Sequence, residues 1–376
     1  MIHVTHSAPG PLRAQHGFLD GVLHSAAQGE RTCPSADDQM GAQRPSPVLR
    51  GGGFCSNTMR SFFSLSPGMA FLKTRVLYAC LLVVGALCVY FSMDTLVAFK
   101  EGPLVYKKEF GKFLQLPDAD CRQKPPFLVL LVTSSLHQAE ARMAIRETWG
   151  RERTVRGRQV QAYFLLGMSA SKAEMAAVAR ESQQYRDIIQ KDFEDVYFNL
   201  TLKTLMGLEW VYHHCPQAGF VMKADSDMFI NVDYLTELLL RKNKTTRLFT
   251  GHLKMNDVPI RNKFNKWFVS KYEYPWDKYP PFCSGTAYVF SGDVASQVYN
   301  VSDSVPFLKL EDVFVGLCLA KLGIRPEELH SKRTFFPEGL RFSVCRFRKI
   351  VACHFVKPAD LLTFWEAVES SREEQC

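Results

Sequence analysis

The chain has 376 residues, of which 47% are hydrophobic and 22% charged, and its formal net charge is +8. This composition is typical of a globular protein with one large core or two ordinary ones, and it excludes a chain that is disordered throughout. The positive charge would suit nucleic acid, anionic lipid or an anionic substrate such as a nucleotide diphosphate. The sequence has no zinc-finger spacing, basic-zipper heptads or RNA-binding aromatic signature, so no nucleic-acid partner is expected.

The first long apolar segment, residues 76–93, predicts a transmembrane signal anchor. It contains no charge between Arg75 and Asp94, and its eighteen residues are near the minimum for a membrane span. Because Lys73 and Arg75 precede it, the positive-inside rule places residues 1–75 in the cytosol and the long C-terminal part in a lumen, as a single-pass type II protein. A cleaved signal peptide and a buried helix are the alternatives, but no small-residue cleavage site ends the run and it is apolar on every face.

The segments on either side of this run have weak patterns. Residues 1–68 are rich in Gly, Ser, Pro, Gln and His, which predicts a disordered or non-native extension, and a start at Met69 would leave a short basic tail. Residues 94–124 have mixed charge and no strong period, which predicts a stem. The lumenal globular domain is therefore predicted to cover residues 125–376.

Apolar strands alternate with helical patterns within this predicted domain. Strands are predicted at 127–132, 160–166, 220–222 and 286–291, and helices at 138–149, 172–185, 201–212, 231–241 and 313–322. Alternation at βαβ spacing predicts an α/β fold with a mainly parallel sheet between helices.

Two further features bear on the predicted lumenal topology. The sequons at Asn199, Asn243 and Asn300 would carry N-linked glycans in the lumen. Seven cysteines follow the apolar run, and an oxidising lumen would pair most of them and leave at least one free or bonded to another chain. None forms a Cys-x-x-Cys pair, which argues against a zinc ribbon.

The sharpest local signal is the sequence KADSD, residues 223–227, which directly follows an apolar strand. Ligands of open α/β sheets bind beyond the carboxyl ends of the strands. The carboxylates of Asp225 and Asp227 would repel each other there, and a magnesium or manganese ion would relieve that repulsion. A solvated acidic turn that caps the next helix is the alternative, and the position after a buried strand favours the metal site.

A second acidic pair, Glu311 and Asp312, immediately precedes an apolar helix. An acid at this position can cap the helix and interact favourably with its dipole. It can also serve as a general base that takes the proton of an attacking hydroxyl. The residues alone favour the cap.

Arg142 and Arg146 are four residues apart and would share one helix face. Two guanidinium groups on one face can clamp a diphosphate through bidentate hydrogen bonds. Ion pairs with Glu140 or Glu147 are the alternative.

Residues 279–286 form an aromatic loop rich in Pro and Gly before a predicted strand. Aromatic rings can stack on sugar faces and glycine permits close backbone approach, so Trp276, Tyr279 and Gly285 are candidate acceptor-binding residues. A rigid structural turn is the alternative.

Five sequence blocks together resemble the inverting β-1,3-glycosyltransferases that include the β-1,3-galactosyltransferases. The blocks are, in chain order, RMAIRETWG, DVYFNLTLKT, FVMKADSDMFIN, YPPFCSGTAYVFS and LEDVFVGLCLAKLGI. Their order and spacing match that family across residues 121–355, whereas residues 1–68 have no counterpart in it. The chain departs from many members at Ala287, where a third Gly-rich position is common.

The resemblance implies a GT-A-type, Rossmann-like nucleotide-sugar domain behind a single transmembrane helix of the Golgi membrane. The donor would be UDP-galactose, and the acceptor a glycoprotein or glycolipid that ends in β-linked N-acetylglucosamine, or a globo-series glycolipid that ends in N-acetylgalactosamine. The alternatives are an N-acetylglucosaminyl- or N-acetylgalactosaminyltransferase of the same family, a non-catalytic Golgi chaperone or glycan-binding relative, and a metal-dependent hydrolase.

The resemblance also implies roles for individual residues. Asp225, Asp227 and His354 match the positions that bind Mn2+, and Asp312 matches the catalytic base. The matches to the donor site are Arg142, Arg146, Lys203, Lys223 and Asp225.

Overall fold

The computed structural model describes residues 67–100, 110–119 and 121–376, and the side chains of its first helix for residues 74–90. Predictions for residues 1–66, and the part of the predicted stem at 101–109 and 120, lie outside the described residues. Of the described residues, 67–78 fall in one unit, and 79–100, 110–119 and 121–376 fall in another. Among the described residues, no helix combines the length and the apolar character that crossing a membrane requires.

Helices and strands alternate along most of the described chain. The helices are α1 (Pro67–Lys100), α2 (Ala139–Glu147), α3 (Lys172–Tyr185), α4 (Leu200–His214), α5 (Val232–Lys242), α6 (Gly292–Val301), α7 (Glu311–Lys321), α8 (Val344–Phe347) and α9 (Pro358–Ser370). The strands are β1 (Phe113–Gln115), β2 (Leu128–Thr133), β3 (Arg153–Val155), β4 (Arg158–Met168), β5 (Ile188–Glu194), β6 (Phe220–Asp225), β7 (Met228–Ile230), β8 (Phe249–Lys254), β9 (Phe282–Ser291), β10 (Phe335–Phe336) and β11 (Ala352–His354). Short 3-10 helices at Tyr197–Asn199 and Ser302–Ser304 precede α4 and follow α6.

The main sheet has the strand order β1-β5-β4-β2-β6-β9-β8, with β3 paired to β4. The four central strands β5, β4, β2 and β6 run parallel, whereas β1, β3, β8 and β9 pair antiparallel with their neighbours. The predicted α/β fold is confirmed, and the sheet is mixed rather than mainly parallel at its edges.

Strand β2 lies at the centre of the sheet, and all six of its residues are buried. Five of them are apolar, as is typical of a strand covered on both faces, and the hydroxyl of the sixth, Thr133, donates a hydrogen bond to Asp225. Successive side chains point to opposite faces. Val129 and Leu131 pack in one core with residues of α4, α6 and α7, while Leu130 and Val132 pack in a second core with residues of α2, α5 and α9. Helices therefore cover both faces, and the carboxyl ends of the parallel strands meet at one edge.

A second, small sheet has the order β10-β11-β7 and was not predicted from the sequence. Strand β7 follows β6 after a two-residue turn, and it pairs antiparallel with β11, so that Met228 lies opposite His354. This pairing brings a segment from near the C-terminus to the carboxyl end of β6.

Two disulfides join four of the seven cysteines that follow residue 120, namely Cys121 to Cys215 and Cys345 to Cys376. The other three are free and buried: Cys283, Cys318 and Cys353. Burial raises the pKa of the Cys318 thiol to about 12, so it stays protonated and packs as a small apolar group.

Candidate active site

Asp225 is the last residue of β6, so the strand reaches three residues further than predicted. Its partner across the parallel pair is Thr133, the last residue of β2. The Thr133 hydroxyl donates to Asp225 Oδ1 at 2.7 Å, and Lys223 Nζ donates to the same oxygen at 2.6 Å. These donors fix the carboxylate at the carboxyl edge of the sheet, where α/β folds bind ligands.

Asp227 and His354 meet across the small sheet. His354 Nε2 lies 3.1 Å from Asp227 Oδ2, and nearly half of the Asp227 side chain is exposed. His354 Nδ1 lies 2.9 Å from the carbonyl oxygen of Pro337. Because a carbonyl only accepts, Nδ1 carries a hydrogen, and loss of the proton on Nε2 would leave the lone pair of that nitrogen free to bind a metal ion.

The three predicted metal-binding residues come together. One ligand atom each from Asp225, Asp227 and His354 lies within 4.8 Å of the others. Burial lowers the pKa of His354, but the carboxylate of Asp227 outweighs that effect and raises it overall. Two carboxylates and an imidazole form a donor set that suits a divalent metal ion, and the Pro337 carbonyl supplies the outer contact that orients a histidine ligand.

Asp312 is the second residue of α7, so it lies inside the first turn and not at the N-cap, which is Leu310. Its Oδ2 accepts the backbone N–H of Gly285 at 3.0 Å, and its Oδ1 accepts the N–H of Val313 at 2.9 Å. Burial raises the pKa of the carboxyl, and these two hydrogen bonds partly oppose the shift. The carboxylate is thus oriented by backbone groups and is a stronger base than an exposed one.

Lys223 lies between Asp225 on one side and Glu311 on the other. Its ammonium group is buried, donates to the carbonyl oxygen of Gly285, and lies 3.9 Å from Glu311 Oε2. Gly285 therefore contacts Lys223 through its C=O and Asp312 through its N–H. A Cβ at Gly285 would lie 3.1 Å from Glu311 Oε2, a tight contact that a small shift of the Glu311 side chain would have to relieve.

Glu311 is a site residue whose importance the sequence did not reveal. It is buried, accepts a hydrogen bond from the Tyr288 hydroxyl, and lies next to Asp312 in the chain. Burial raises its pKa to about 7, although Lys223 lowers it in part. The available signal was an acid placed among the apolar residues of α7 and β9, but its depth depends on how these elements pack.

Arg142 differs most from the prediction. It is fully buried, and its partner is Glu181 of α3 rather than Glu140 or Glu147, with Nε–Oε1 and NH2–Oε2 distances of 2.8 and 2.6 Å. Its remaining donors bind the Ser134 hydroxyl and the carbonyl oxygens of residues 135 and 136. All five N–H groups are used, so Arg142 shapes the loop after β2 and offers no donor to a diphosphate in this conformation.

Arg146 and Lys203 are likewise held by protein groups. Arg146 pairs with Asp187 at 2.7 Å and with Glu181 at 2.8 Å. Lys203 is buried and donates to Asp195 Oδ1 and to the Ser134 carbonyl oxygen, each at 2.5 Å. Of these two, Lys203 lies closer to the predicted site, because Ser134 follows the Thr133 that contacts Asp225.

The two predicted aromatic acceptor residues have different environments. Tyr279 is buried between the rings of Tyr274 and Phe282, and its hydroxyl has no hydrogen-bond partner among the described residues. Burial raises its pKa to about 12, so the hydroxyl remains a donor. Trp276 is 61% exposed and contacts Tyr274, and no contact among the described residues links it to Asp312.

The sequons lie at the surface to different degrees. Asn243 and Asn300 are exposed, whereas Asn199 is half-buried and its side-chain amide donates to the carbonyl oxygen of Glu194. The hydroxyl of Thr201, in the same sequon as Asn199, is buried and donates to the carbonyl oxygen of Leu308. Modification at Asn199 would therefore have to precede folding.

Comparison with known proteins identifies the family. The galactosyltransferase family profile matches residues 140–330. The chain is 73% identical over 308 residues to β-1,3-galactosyltransferase 5 of Mus musculus and 71% identical over 308 residues to that of Homo sapiens, each match covering 82% of this chain and 99% of the relative. Identity to β-1,3-galactosyltransferase 2 of Homo sapiens is 43% over 260 residues, or 68% of this chain and 62% of the relative. Among solved structures, a mannosyltransferase of Pyrobaculum calidifontis is 12% identical, covers 65% of this chain and 64% of its own, and has a TM-score of 0.33, which establishes no common fold. The chain therefore belongs to the galactosyltransferase family, and its similarity to the type-5 β-1,3-galactosyltransferases extends over most of its length.

Proposed function

We propose that this protein is a hexosyltransferase that moves galactose from UDP-galactose to the 3-hydroxyl of a terminal β-linked N-acetylglucosamine, with inversion at the anomeric carbon. Glycoproteins and glycolipids with that terminus would be its acceptors, and a globo-series glycolipid that ends in N-acetylgalactosamine is a further candidate. The observation that carries the proposal is the junction at Gly285. This residue links Asp312 to Lys223 and so to the cluster of Asp225, Asp227 and His354, in a chain 73% identical to a protein named β-1,3-galactosyltransferase 5.

The proposal includes a GT-A-type, Rossmann-like nucleotide-sugar fold. Its support is the set of parallel strands β5, β4, β2 and β6 with acidic residues at the carboxyl end of β6. Asp225, Asp227 and His354 would hold Mn2+. When bound, the ion supplies positive charge that stabilises a departing diphosphate.

The protein's own groups would perform the proton transfer. Asp312 takes the proton of the acceptor hydroxyl as that oxygen attacks the anomeric carbon, and the N–H groups of Gly285 and Val313 hold the carboxylate in place. By analogy with inverting glycosidases, the base acts on the face of the sugar opposite the leaving group. Lys223, which is buried between Asp225 and Glu311, balances the negative charge of the site.

The test is transfer by the purified full chain, in detergent, with Mn2+ and a panel of UDP-sugars. The acceptor is a β-N-acetylglucosaminide, and the linkage of the product is determined by NMR. We expect a β1-3 galactoside from UDP-galactose, loss of transfer in EDTA, and recovery with Mn2+. Transfer only from UDP-N-acetylglucosamine or UDP-N-acetylgalactosamine would replace the donor in the proposal. Release of free galactose as the main product would favour a hydrolase, and binding of UDP without turnover on any acceptor would favour a non-catalytic relative.

We also propose that the protein is a single-pass type II protein of the Golgi membrane with its catalytic domain in the lumen. The support is the apolar run at 76–93 after Lys73 and Arg75, together with two disulfides, which form in oxidising compartments. In cells, the protein should stay in the pellet after carbonate extraction, and its C-terminal part should resist protease until the membranes are permeabilised. Asn243→Gln should remove one glycan. Release by carbonate would contradict the anchor.

A further inference from the structure

Four aromatic residues from two distant segments form a cluster at the surface, which we call the aromatic rim: Tyr197, Phe198, Trp267 and Phe268. Tyr197 and Phe198 belong to the short 3-10 helix before α4, with ring centroids 5.7 Å apart. The indole N–H of Trp267 donates to the hydroxyl of Tyr197 at 3.0 Å. The hydrogen bond fixes the two rings relative to each other although they lie 70 residues apart in the chain.

Three of the four rim residues are exposed although they are large aromatic groups, and Phe268 is half-buried. Tyr197, Phe198 and Trp267 keep 48%, 51% and 45% of their surface open to solvent. A lone exposed aromatic side chain needs no explanation, but several that are joined and held in place mark a binding surface. Lys266 Nζ lies 4.6 Å from the centre of the Trp267 ring and 5.6 Å from that of Tyr197, so the surface also has a hydrogen-bond donor.

The rim contacts the chain segment that leads to the proposed catalytic base. Lys309, three residues before Asp312, has its ammonium group 5.7 Å from the ring of Phe198 and 5.7 Å from that of Phe268. The Thr201 hydroxyl, at the start of α4, donates to the carbonyl oxygen of Leu308 at 2.8 Å and so joins the rim to the same segment. Burial raises the pKa of Tyr197, the hydrogen bond from Trp267 lowers it in part, and the charge of Asp312 adds a smaller increase.

This position limits what the rim could bind. If Asp312 takes the proton of the acceptor's 3-hydroxyl, the terminal sugar occupies the space next to Asp312, and the rest of the glycan has to extend towards the surface. The C–H face of a pyranose ring is apolar and packs against aromatic rings, while its edge carries hydroxyls that accept from an ammonium group. The rim offers both kinds of contact within one cluster.

We propose that Tyr197 and Trp267 form a subsite for the second sugar of the acceptor, the one to which the terminal N-acetylglucosamine is attached. This inference rests on the proposed galactosyl transfer to that terminus. It makes the protein selective for acceptors of at least two sugars, because a simple N-acetylglucosaminide does not reach the rim.

The experiment compares two acceptors with the full chain in detergent: a β-N-acetylglucosaminide with a small alkyl group, and a disaccharide glycoside that ends in β-N-acetylglucosamine. We expect Tyr197→Ala and Trp267→Ala to lower kcat/KM for the disaccharide about five- to tenfold, mainly through KM, and to change it less than twofold for the monosaccharide. The matched control is Phe264→Ala, because Phe264 lies in the same loop and is 98% exposed. It should affect neither acceptor.

Conservative variants show whether Tyr197 and Trp267 bind the acceptor or only hold two segments of the protein together through their hydrogen bond. Tyr197→Phe and Trp267→Phe keep a ring and lose the hydrogen bond between the two residues, so they should retain most of the preference for the disaccharide. Equal losses on both acceptors, in the Ala and Phe variants alike, would mean that the pair only holds the loop to α4, and would overturn the subsite.

A binding measurement separates this inference from the proposed function. Calorimetric titration of the disaccharide into the protein with UDP and Mn2+ needs no turnover. A wild-type protein that transfers no galactose but binds the disaccharide at least fivefold more tightly than Tyr197→Ala would reject the proposed function and keep the subsite. Equal affinity of the two proteins would reject the subsite whatever the activity.

Discussion

The carboxylate of Asp312 is held by two backbone N–H groups and needs only its charge to act as a base. Asp312→Asn keeps the size of the side chain and removes that charge. We expect kcat to fall by about 10²- to 10⁴-fold, because a neutral amide cannot take the hydroxyl proton. Calorimetry should show an affinity for UDP and Mn2+ within about twofold of the wild type, since the cluster of Asp225, Asp227 and His354 is unchanged.

The matched control for this substitution is Asp277→Asn, which makes the same chemical change in a side chain that is 89% exposed. It should leave kcat unchanged. Substantial turnover by Asp312→Asn would remove Asp312 from the role of base and direct attention to Glu311.

Glu311 should make stability depend on pH. The folded protein holds its proton up to a pKa of about 7, whereas the unfolded chain releases it near 4.5. Between these values the folded state binds more protons, so the contribution of this group to the free energy of unfolding falls as pH rises. Relative to Glu311→Gln, which does not titrate, the wild type should lose about 1–3 kcal/mol between about pH 5 and pH 8. Urea unfolding at several pH values measures the free energy of unfolding of both proteins. A difference between the two that does not change with pH would contradict the prediction.

A site residue could be predicted where its role follows from its neighbours in the sequence, and not where it depends on the packing of distant segments. Asp225, Asp227 and Asp312 stand in short patterns beside an apolar strand or helix, and the resemblance to a family adds His354. The donor role of Arg142 was inferred from its helix face and from the resemblance to the family. Its real partner, Glu181, is 39 residues away in the chain, and only the packing of α3 against α2 brings the two together. The burial of Glu311 could not be predicted either, because it also depends on how distant elements pack.

At the scale of elements, each of the five predicted helices begins and ends within two residues of an observed helix, whereas α6, β5 and β8 were not predicted. The predicted helix at 172–185 coincides with α3, where Ser171 caps the first turn by accepting the N–H of Glu174. Strands β7, β10 and β11 have two or three residues each and are too short to show a period of two. The small sheet that carries His354 therefore could not be predicted, although it completes the cluster with Asp225 and Asp227.

The small sheet suggests a test of the metal site. In His354→Ala, the backbone pairing of β11 with β7 stays intact, while one of three candidate ligands is lost. We expect the affinity for Mn2+, measured by calorimetry in the presence of UDP, to fall by about tenfold or more, with little change in the unfolding midpoint without metal. His330→Ala, at a loop position outside the cluster, is the control. An unchanged affinity for Mn2+ in His354→Ala would remove His354 from the site.

At the scale of the whole molecule, the candidate site and the Cys121–Cys215 disulfide lie at opposite ends of the central strands β2 and β6. The carboxyl ends of β2 and β6 carry Thr133 and Asp225. At their amino ends, the N–H of Gly219 donates to the carbonyl oxygen of Pro126, and the nearby disulfide joins Cys121 to Cys215 after α4. This separation should allow the molecule to be destabilised without direct damage to the site.

The two disulfides differ in the length of chain that they close, with sequence separations of 94 residues for Cys121–Cys215 and 31 for Cys345–Cys376. Because the loop entropy of the unfolded chain grows with length, the double variant Cys121→Ser/Cys215→Ser should lose about 2–5 kcal/mol of unfolding free energy, and about 1 kcal/mol more than Cys345→Ser/Cys376→Ser. Denaturant unfolding measures both losses. At a temperature where each variant is folded, the affinity for UDP and Mn2+ should match the wild type. An equal loss of stability in the two variants would show that native packing around the sulfurs, rather than loop length, sets the contribution of each bond.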